Sequence, residues 1–167
     1  MNYAEINKND IVNGEGISVS LFVSGCPHRC PGCFNPEAWD YDYGKEFTHE
    51  TLIEIIDALR ANQVHRNLSI LGGEPLAPKN RKTVNDIIHT VRRCCDLYPK
   101  IYLWTGYTLE ELQSENDPDI NEILENINVL IDGKYVEELR DLGLPLRGSS
   151  NQRVLKLKNW QNWKKML

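Results

Sequence analysis

Short apolar runs rich in β-branched residues alternate along the chain with stretches in which apolar positions recur three and four apart. The run 17–25, ISVSLFVSG, reads as a strand ending immediately before Cys26. Leu52, Ile55, Ile56 and Leu59 then fall at i, i+3, i+4 and i+7, the spacing of an amphipathic helix, with Thr48 placed to cap it. NLSILGG (67–73) is a second strand, and Val84, Ile87, Ile88, Val91 and Cys95 repeat the helical period over 80–97. KIYLWTG (100–106) and INVLIDG (127–133) are third and fourth strands, separated by helical segments near 108–113 and 118–126. QRVLKL (152–157) suits a late strand and NWQNWKKML (159–167) a terminal helix.

Strand, helix, strand, helix predicts βαβ units and a parallel sheet, because parallel neighbours need a crossover of a dozen or more residues. A closed eight-unit barrel takes about 250 residues. With 167 residues, the fold class expected is α/β, an open, partial βα barrel. No repeat, low-complexity tract or Pro/Gly/Ser linker divides the chain, so one domain over 1–167 is expected. A chain of this size buries roughly 70% of its unfolded surface and needs no covalent staples.

Composition narrows the partners. The net charge of −5 does not point to nucleic acid, and no apolar run is long enough to span a bilayer. The opening MNYAEINKND lacks the basic-then-apolar layout of a signal peptide, which predicts a cytoplasmic protein. In a reducing compartment the five cysteines point to metal binding or catalysis rather than disulfides.

Three of those cysteines, Cys26, Cys30 and Cys33, crowd into SGCPHRCPGCFNPE with spacing C-x3-C-x2-C. Thiolates suit zinc, copper(I) or an iron–sulfur cluster. Three ligands match a four-iron cluster with one iron left open to a substrate; a structural zinc site would need a fourth ligand such as His28, His49 or His65. Pro27 and Pro31 fix φ after two of the cysteines, and Gly32 allows close backbone approach. The other unusual strings also follow strands: GGEP (72–75), TGY (105–107) and DGK (132–134). All would lie at carboxyl ends of parallel strands, where α/β folds gather ligands, so one shared site is expected. Within GGEP, Gly72 and Gly73 let the backbone approach a ligand and Glu74 offers a carboxylate to a cationic group, unless the turn is simply a solvated βα connection.

C-x3-C-x2-C after the first strand, with GGEP downstream, resembles the radical S-adenosylmethionine enzymes. The strings CPHRCPGCFNPE, GGEPL, WTGY, LIDGKY and RGSSNQR resemble in particular the activases of anaerobic (class III) ribonucleoside-triphosphate reductase, over residues 10–156. The resemblance implies a [4Fe-4S] cluster on Cys26, Cys30 and Cys33, with the amino and carboxylate groups of S-adenosyl-L-methionine on the fourth iron. It implies that the GGEP backbone and Glu74 meet the methionyl ammonium, and that Gly32, Cys33 and Phe34 lie against the cofactor. Thr105, Asp132 and Lys134 resemble a threonine and a D-x-K motif near the cofactor's carboxylate and ribose. Two positions depart from the pattern: Trp104 stands where relatives carry an Asp, and Gly32 where an aromatic is usual. Phe34 either covers the adenine or packs in the core.

The activity so implied is reductive cleavage of S-adenosylmethionine to a 5′-deoxyadenosyl radical, which forms a glycyl radical on the large subunit of the reductase. No separate acid, base or nucleophile is expected. Two other functions remain open: an activase for another glycyl-radical enzyme, or a non-catalytic zinc-stabilised interaction module. Cys94 and Cys95 sit at the edge of a helical stripe and read as packing. The stretch from Arg147 to Leu167 carries six Lys/Arg and no acid, a solvated face or a docking surface for the reductase or for an acidic electron donor such as reduced flavodoxin. Its RGSSNQR string suggests a loop near the mouth of the site but no chemical role.

Overall fold

The computed structural model describes residues 1–157. These residues form seven strands and four α-helices: β1 (Asn2–Asp10), β2 (Ser18–Val23), β3 (Lys45–Glu46), α1 (His49–Arg60), β4 (Asn67–Gly72), α2 (Arg81–Cys94), β5 (Ile101–Trp104), α3 (Leu109–Glu115), α4 (Pro118–Asn126), β6 (Val129–Asp132) and β7 (Arg153–Lys156). The strands form one sheet in the order β3-β1-β2-β4-β5-β6-β7. The central four, β2, β4, β5 and β6, are parallel, and β1, β3 and β7 pair antiparallel at the edges. The fold is therefore mixed α/β with a partly parallel sheet.

Side-chain alternation gives the central strands two different faces. Val19, Leu21, Val23, Leu68, Ile70, Ile101, Leu103 and Leu130 join Ile55, Leu59, Val84, Ile87, Ile88, Leu112, Ile120 and Ile123 in one core, so all four helices cover the same face. Fully burying each such Leu, Ile or Val is worth about 1.5–3 kcal/mol, which outweighs the weak propensities of the short strands. The alternate residues, among them Ser18, Ser20, Ser69 and Tyr102, are just as buried but turn to the opposite face, which carries no helix among the described residues. The 11–17 loop lies over it: the Ser69 hydroxyl donates to the Asn13 carbonyl at 2.5 Å. A Cβ on Gly14 would stand 2.7 Å from Ser18 Oγ. Toward the carboxyl end the same face presents Phe22, Leu71 and Trp104 to a cavity.

Thr48 caps α1 as the sequence predicts, its hydroxyl accepting the Thr51 N–H while the Thr51 hydroxyl accepts the Thr48 N–H. Such a cap is worth about 1 kcal/mol. The N-terminal strand β1 departs from the reading. Its Asn, Lys, Glu and Asp residues have low strand propensity and it is largely half-exposed, with irregularities between Tyr3 and Glu5 and between Asn7 and Asp10. Pairing with β2, rather than its own pattern, makes it a strand. The 80–97 helix ends at Cys94, and the terminal helix expected over 159–167 lies outside the described residues. Among the described residues no helix is long and apolar enough to cross a membrane.

Candidate functional site

At the carboxyl ends of β2 and β4 the chain exits are tied side by side. Gly73 donates its N–H to Val23 O (2.7 Å) and Glu74 to Gly25 O (2.8 Å), while Gly25 donates to Ala38 O (2.8 Å). A Cβ on Gly73 would meet Gly25 O at 2.6 Å and Ala38 O at 2.9 Å, both backbone atoms that cannot swing away. Gly73→Ala is therefore expected to lower stability by about 1–3 kcal/mol, read as a shift in denaturant midpoint at unchanged slope. An unchanged midpoint would show that the two exits are not packed this tightly.

The cysteine loop follows directly. Arg29 (φ 49°) and Gly32 (φ 76°) take left-handed conformations and Cys33 N–H returns to Cys30 O at 3.1 Å, which folds the loop back on itself. Cys26, Cys30 and Cys33 all open into a single cavity of about 460 Å³. Gly72, Gly73, Glu74, Thr105, Lys134 and Phe34 line it too, so turns after all four parallel strands meet there as predicted. Burial pushes the Cys26 thiol up to about 11 and raises that of Cys30. Both thiols therefore hold their protons at neutral pH, and a metal bound there would have to displace them.

The donor set fits an iron–sulfur cluster held by three protein thiolates. Cys94 is exposed at the end of α2 and Cys95 is buried in the helix-side core, so neither joins the cavity. His49 and His65 are exposed elsewhere on the surface. His28 does line the cavity, but its Nε2 lies 2.8 Å from Glu74 Oε2.

Glu74 differs from its expected role. It is fully buried. Its Oε1 accepts the Leu76 N–H (2.9 Å) and the Thr105 hydroxyl (2.8 Å). Its Oε2 accepts the Gly106 N–H (2.7 Å) and His28 Nε2 (2.8 Å). With four donors on two oxygens, the carboxylate joins the cysteine loop, the GGEP turn and the TGY turn, and is not a free anion facing the cavity. The bond to a carboxylate requires His28 Nε2 to carry hydrogen, and the ring is held edge-on against Tyr107 at 4.5 Å. Gly106 makes room for it, since a Cβ there would come within 2.4 Å of the imidazole.

Asp132 is likewise internal. It accepts the first N–H of α3 from Leu109 (2.8 Å) and pairs with Arg153 at 2.9 Å and 2.5 Å, away from the cavity lining. Gly32 also lies outside the lining, against Glu137, whose carboxylate would overlap any added Cβ. Phe34 is not core: it is 55% exposed, lines the cavity and rests 5.1 Å from the Tyr135 ring. The sequence reading left out residues the cavity does include, notably Trp104, Tyr135 and Arg147, Gly148 and Gln152 of RGSSNQR. The sequence suggests that last string as a loop near the mouth of the site but gives it no chemical role, and the structure places three of its residues in the lining.

The family described as 4Fe-4S single cluster domain matches residues 12–155. An anaerobic ribonucleoside-triphosphate reductase-activating protein of Salmonella typhimurium (strain LT2) is 44% identical over 157 residues, covering 92% of this chain and 97% of its own. Its namesake in Escherichia coli (strain K12) is 41% identical over 155 residues, with the same coverage. A third, from Enterobacteria phage T4, is 38% identical over 164 residues, covering 97% of this chain and 95% of its own. The cluster family sets aside the zinc-stabilised module that the spacing alone left open.

Proposed function

Because the chain belongs to the anaerobic ribonucleoside-triphosphate reductase-activating proteins, iron–sulfur enzymes of the 4Fe-4S single cluster family, we propose that its cavity is where S-adenosylmethionine is cleaved to place a radical on the reductase. One observation carries the reading: the three thiols and the turns after β4, β5 and β6 share a single cavity. When bound, the cluster supplies one electron to the sulfonium, whose S–C5′ bond breaks to methionine and a 5′-deoxyadenosyl radical that takes a Cα hydrogen from a glycine of the reductase.

The chain's own part is binding and exclusion of water. Cys26, Cys30 and Cys33 hold the cluster. Gly72 and Gly73, bare of side chains at the exit of β4, bring backbone carbonyls to the methionyl ammonium, and Glu74 holds that turn rather than meeting the ammonium itself. Lys134 lies on the carboxylate and ribose side, with Thr105 and Asp132 acting through the turns they fix. Phe34 and Tyr135 form an aromatic wall suited to the adenine.

All four helices on one face and the cavity on the other support a partial βα barrel of the radical S-adenosylmethionine type, formed by a single domain over 1–167. A reduced flavodoxin suits the electron-donor role through the basic C-terminal stretch, part of which lies outside the described residues. A cytoplasmic location, with no nucleic acid or membrane as partner, remains part of this reading, and the net charge of −5 does not favour nucleic acid.

The test is anaerobic reconstitution with iron, sulfide, S-adenosylmethionine and dithionite beside the reductase. Methionine release and a glycyl-radical paramagnetic signal are expected together; methionine release without the radical would point to a different protein substrate, and neither would overturn the reading.

A further inference from the structure

We infer that Arg147 is a binding residue of this cavity that receives the α-carboxylate of S-adenosylmethionine, an inference that rests on the function proposed above. It starts from RGSSNQR, a string that the reaction leaves without a role. Arg147, Gly148 and Gln152 line the same cavity as the three thiols.

The segment is a fixed wall. Gln152 Oε1 accepts the N–H groups of Gly148 (2.9 Å) and Ser149 (3.2 Å), and its Nε2 donates to Gly133 O (2.9 Å). Asn151 donates to Lys134 O at 2.7 Å, so the loop is bolted to the DGK turn. Gly148 is confined as well, since a Cβ there would stand 2.9 Å from Phe34 and 3.1 Å from Tyr135.

Inside this wall Arg147 is under-engaged. Its Nη1 donates to Gln152 O at 2.8 Å, and its Nε is buried without an acceptor among the described residues. Four other arginines differ. Arg66 and Arg92 direct all three nitrogens to carbonyl oxygens of backbone or Asn. Arg81 and Arg153 do so to carbonyl or carboxylate oxygens. Glu74, the carboxylate of the same cavity, already holds four donors.

A buried guanidinium N–H without an acceptor is costly, and a guanidinium's planar fork matches a carboxylate. S-Adenosylmethionine has one anionic group, its α-carboxylate. Lys134, exposed on the DGK turn to which the loop is bolted, adds a second positive charge to the same lining.

The experiment compares equilibrium binding of S-adenosylmethionine and of its decarboxylated form to the anaerobically reconstituted protein, as wild type, Arg147→Gln and Arg147→Lys, at matched iron content. Comparing each variant with wild type for each ligand isolates the pair, whatever else the carboxylate touches. Arg147→Gln is expected to weaken S-adenosylmethionine by about 10–100-fold and the decarboxylated form by less than about 3-fold. Arg147→Lys should recover part of the selective loss, and it carries the test if the Gln variant fails to fold. An equal loss for both ligands, or no loss for either, would overturn the assignment and leave Arg147 as loop packing or as a contact for the reductase. If wild-type holoprotein binds neither ligand, the proposed function falls and the inference with it.

Discussion

Cys30→Ala protein, reconstituted anaerobically, is expected to carry a small fraction of wild-type iron and to release no methionine from S-adenosylmethionine. The reason is the donor count. The cavity contains three thiols, and the chain's other two, Cys94 and Cys95, belong to the end of α2 and to the helix-side core. His28 cannot readily step in, because its Nε2 is held on Glu74. Two thiols are too few for a cluster that already leaves one iron without a protein ligand. Iron per chain, the visible absorption of the cluster and methionine release under dithionite all read the outcome, with Cys94→Ser as the control that keeps all three. Methionine release at wild-type rate from the Cys30→Ala protein would remove the basis for the proposed function.

Glu74→Gln is the second large effect, and it separates two roles for the same residue. The buried carboxylate accepts from Leu76, Thr105, Gly106 and His28. A Gln keeps one acceptor oxygen and turns an NH2 group toward two donors that then have no acceptor. The expected cost is about 2–4 kcal/mol of stability in the cluster-free protein, measured by denaturant unfolding. If Glu74 instead met the methionyl ammonium as a free carboxylate, cluster-free stability would not change and only cofactor affinity would fall. The two results cannot be confused, since the unfolding experiment contains no cofactor.

Thr105 and Asp132 illustrate how legible the site was. Both stand at the ends of strands that the sequence predicts, and the family resemblance implies that both approach the cofactor. In the structure the Thr105 hydroxyl serves Glu74, and Asp132 serves the start of α3 and Arg153. A D-x-K string reports that an acid and a base follow a strand. The strand ends at Asp132 and Gly133 turns the chain at φ 99° before Lys134, so strand alternation does not carry across the string, and the string does not say which neighbour each residue finds. Lys134 reached the cavity and Asp132 did not.

What the sequence determined by itself is what local physics encodes. Short apolar, β-branched runs marked the four parallel strands, apolar positions three and four apart marked helices between them, and Thr48 marked a cap, while C-x3-C-x2-C singled out the three thiols that line the cavity. Only the tertiary structure decided the rest: that α1 to α4 cover one face, that polar β1 is a strand, that Glu74 is consumed by donors from residues 28, 76, 105 and 106, and that Arg147 lines the cavity with an N–H unmet among the described residues. Each depends on groups far apart in sequence that meet when strands pair in the order β2-β4-β5-β6. A hydrogen-bond partner is chosen by distance and direction in space, and neither is written in the spacing of residues along a chain.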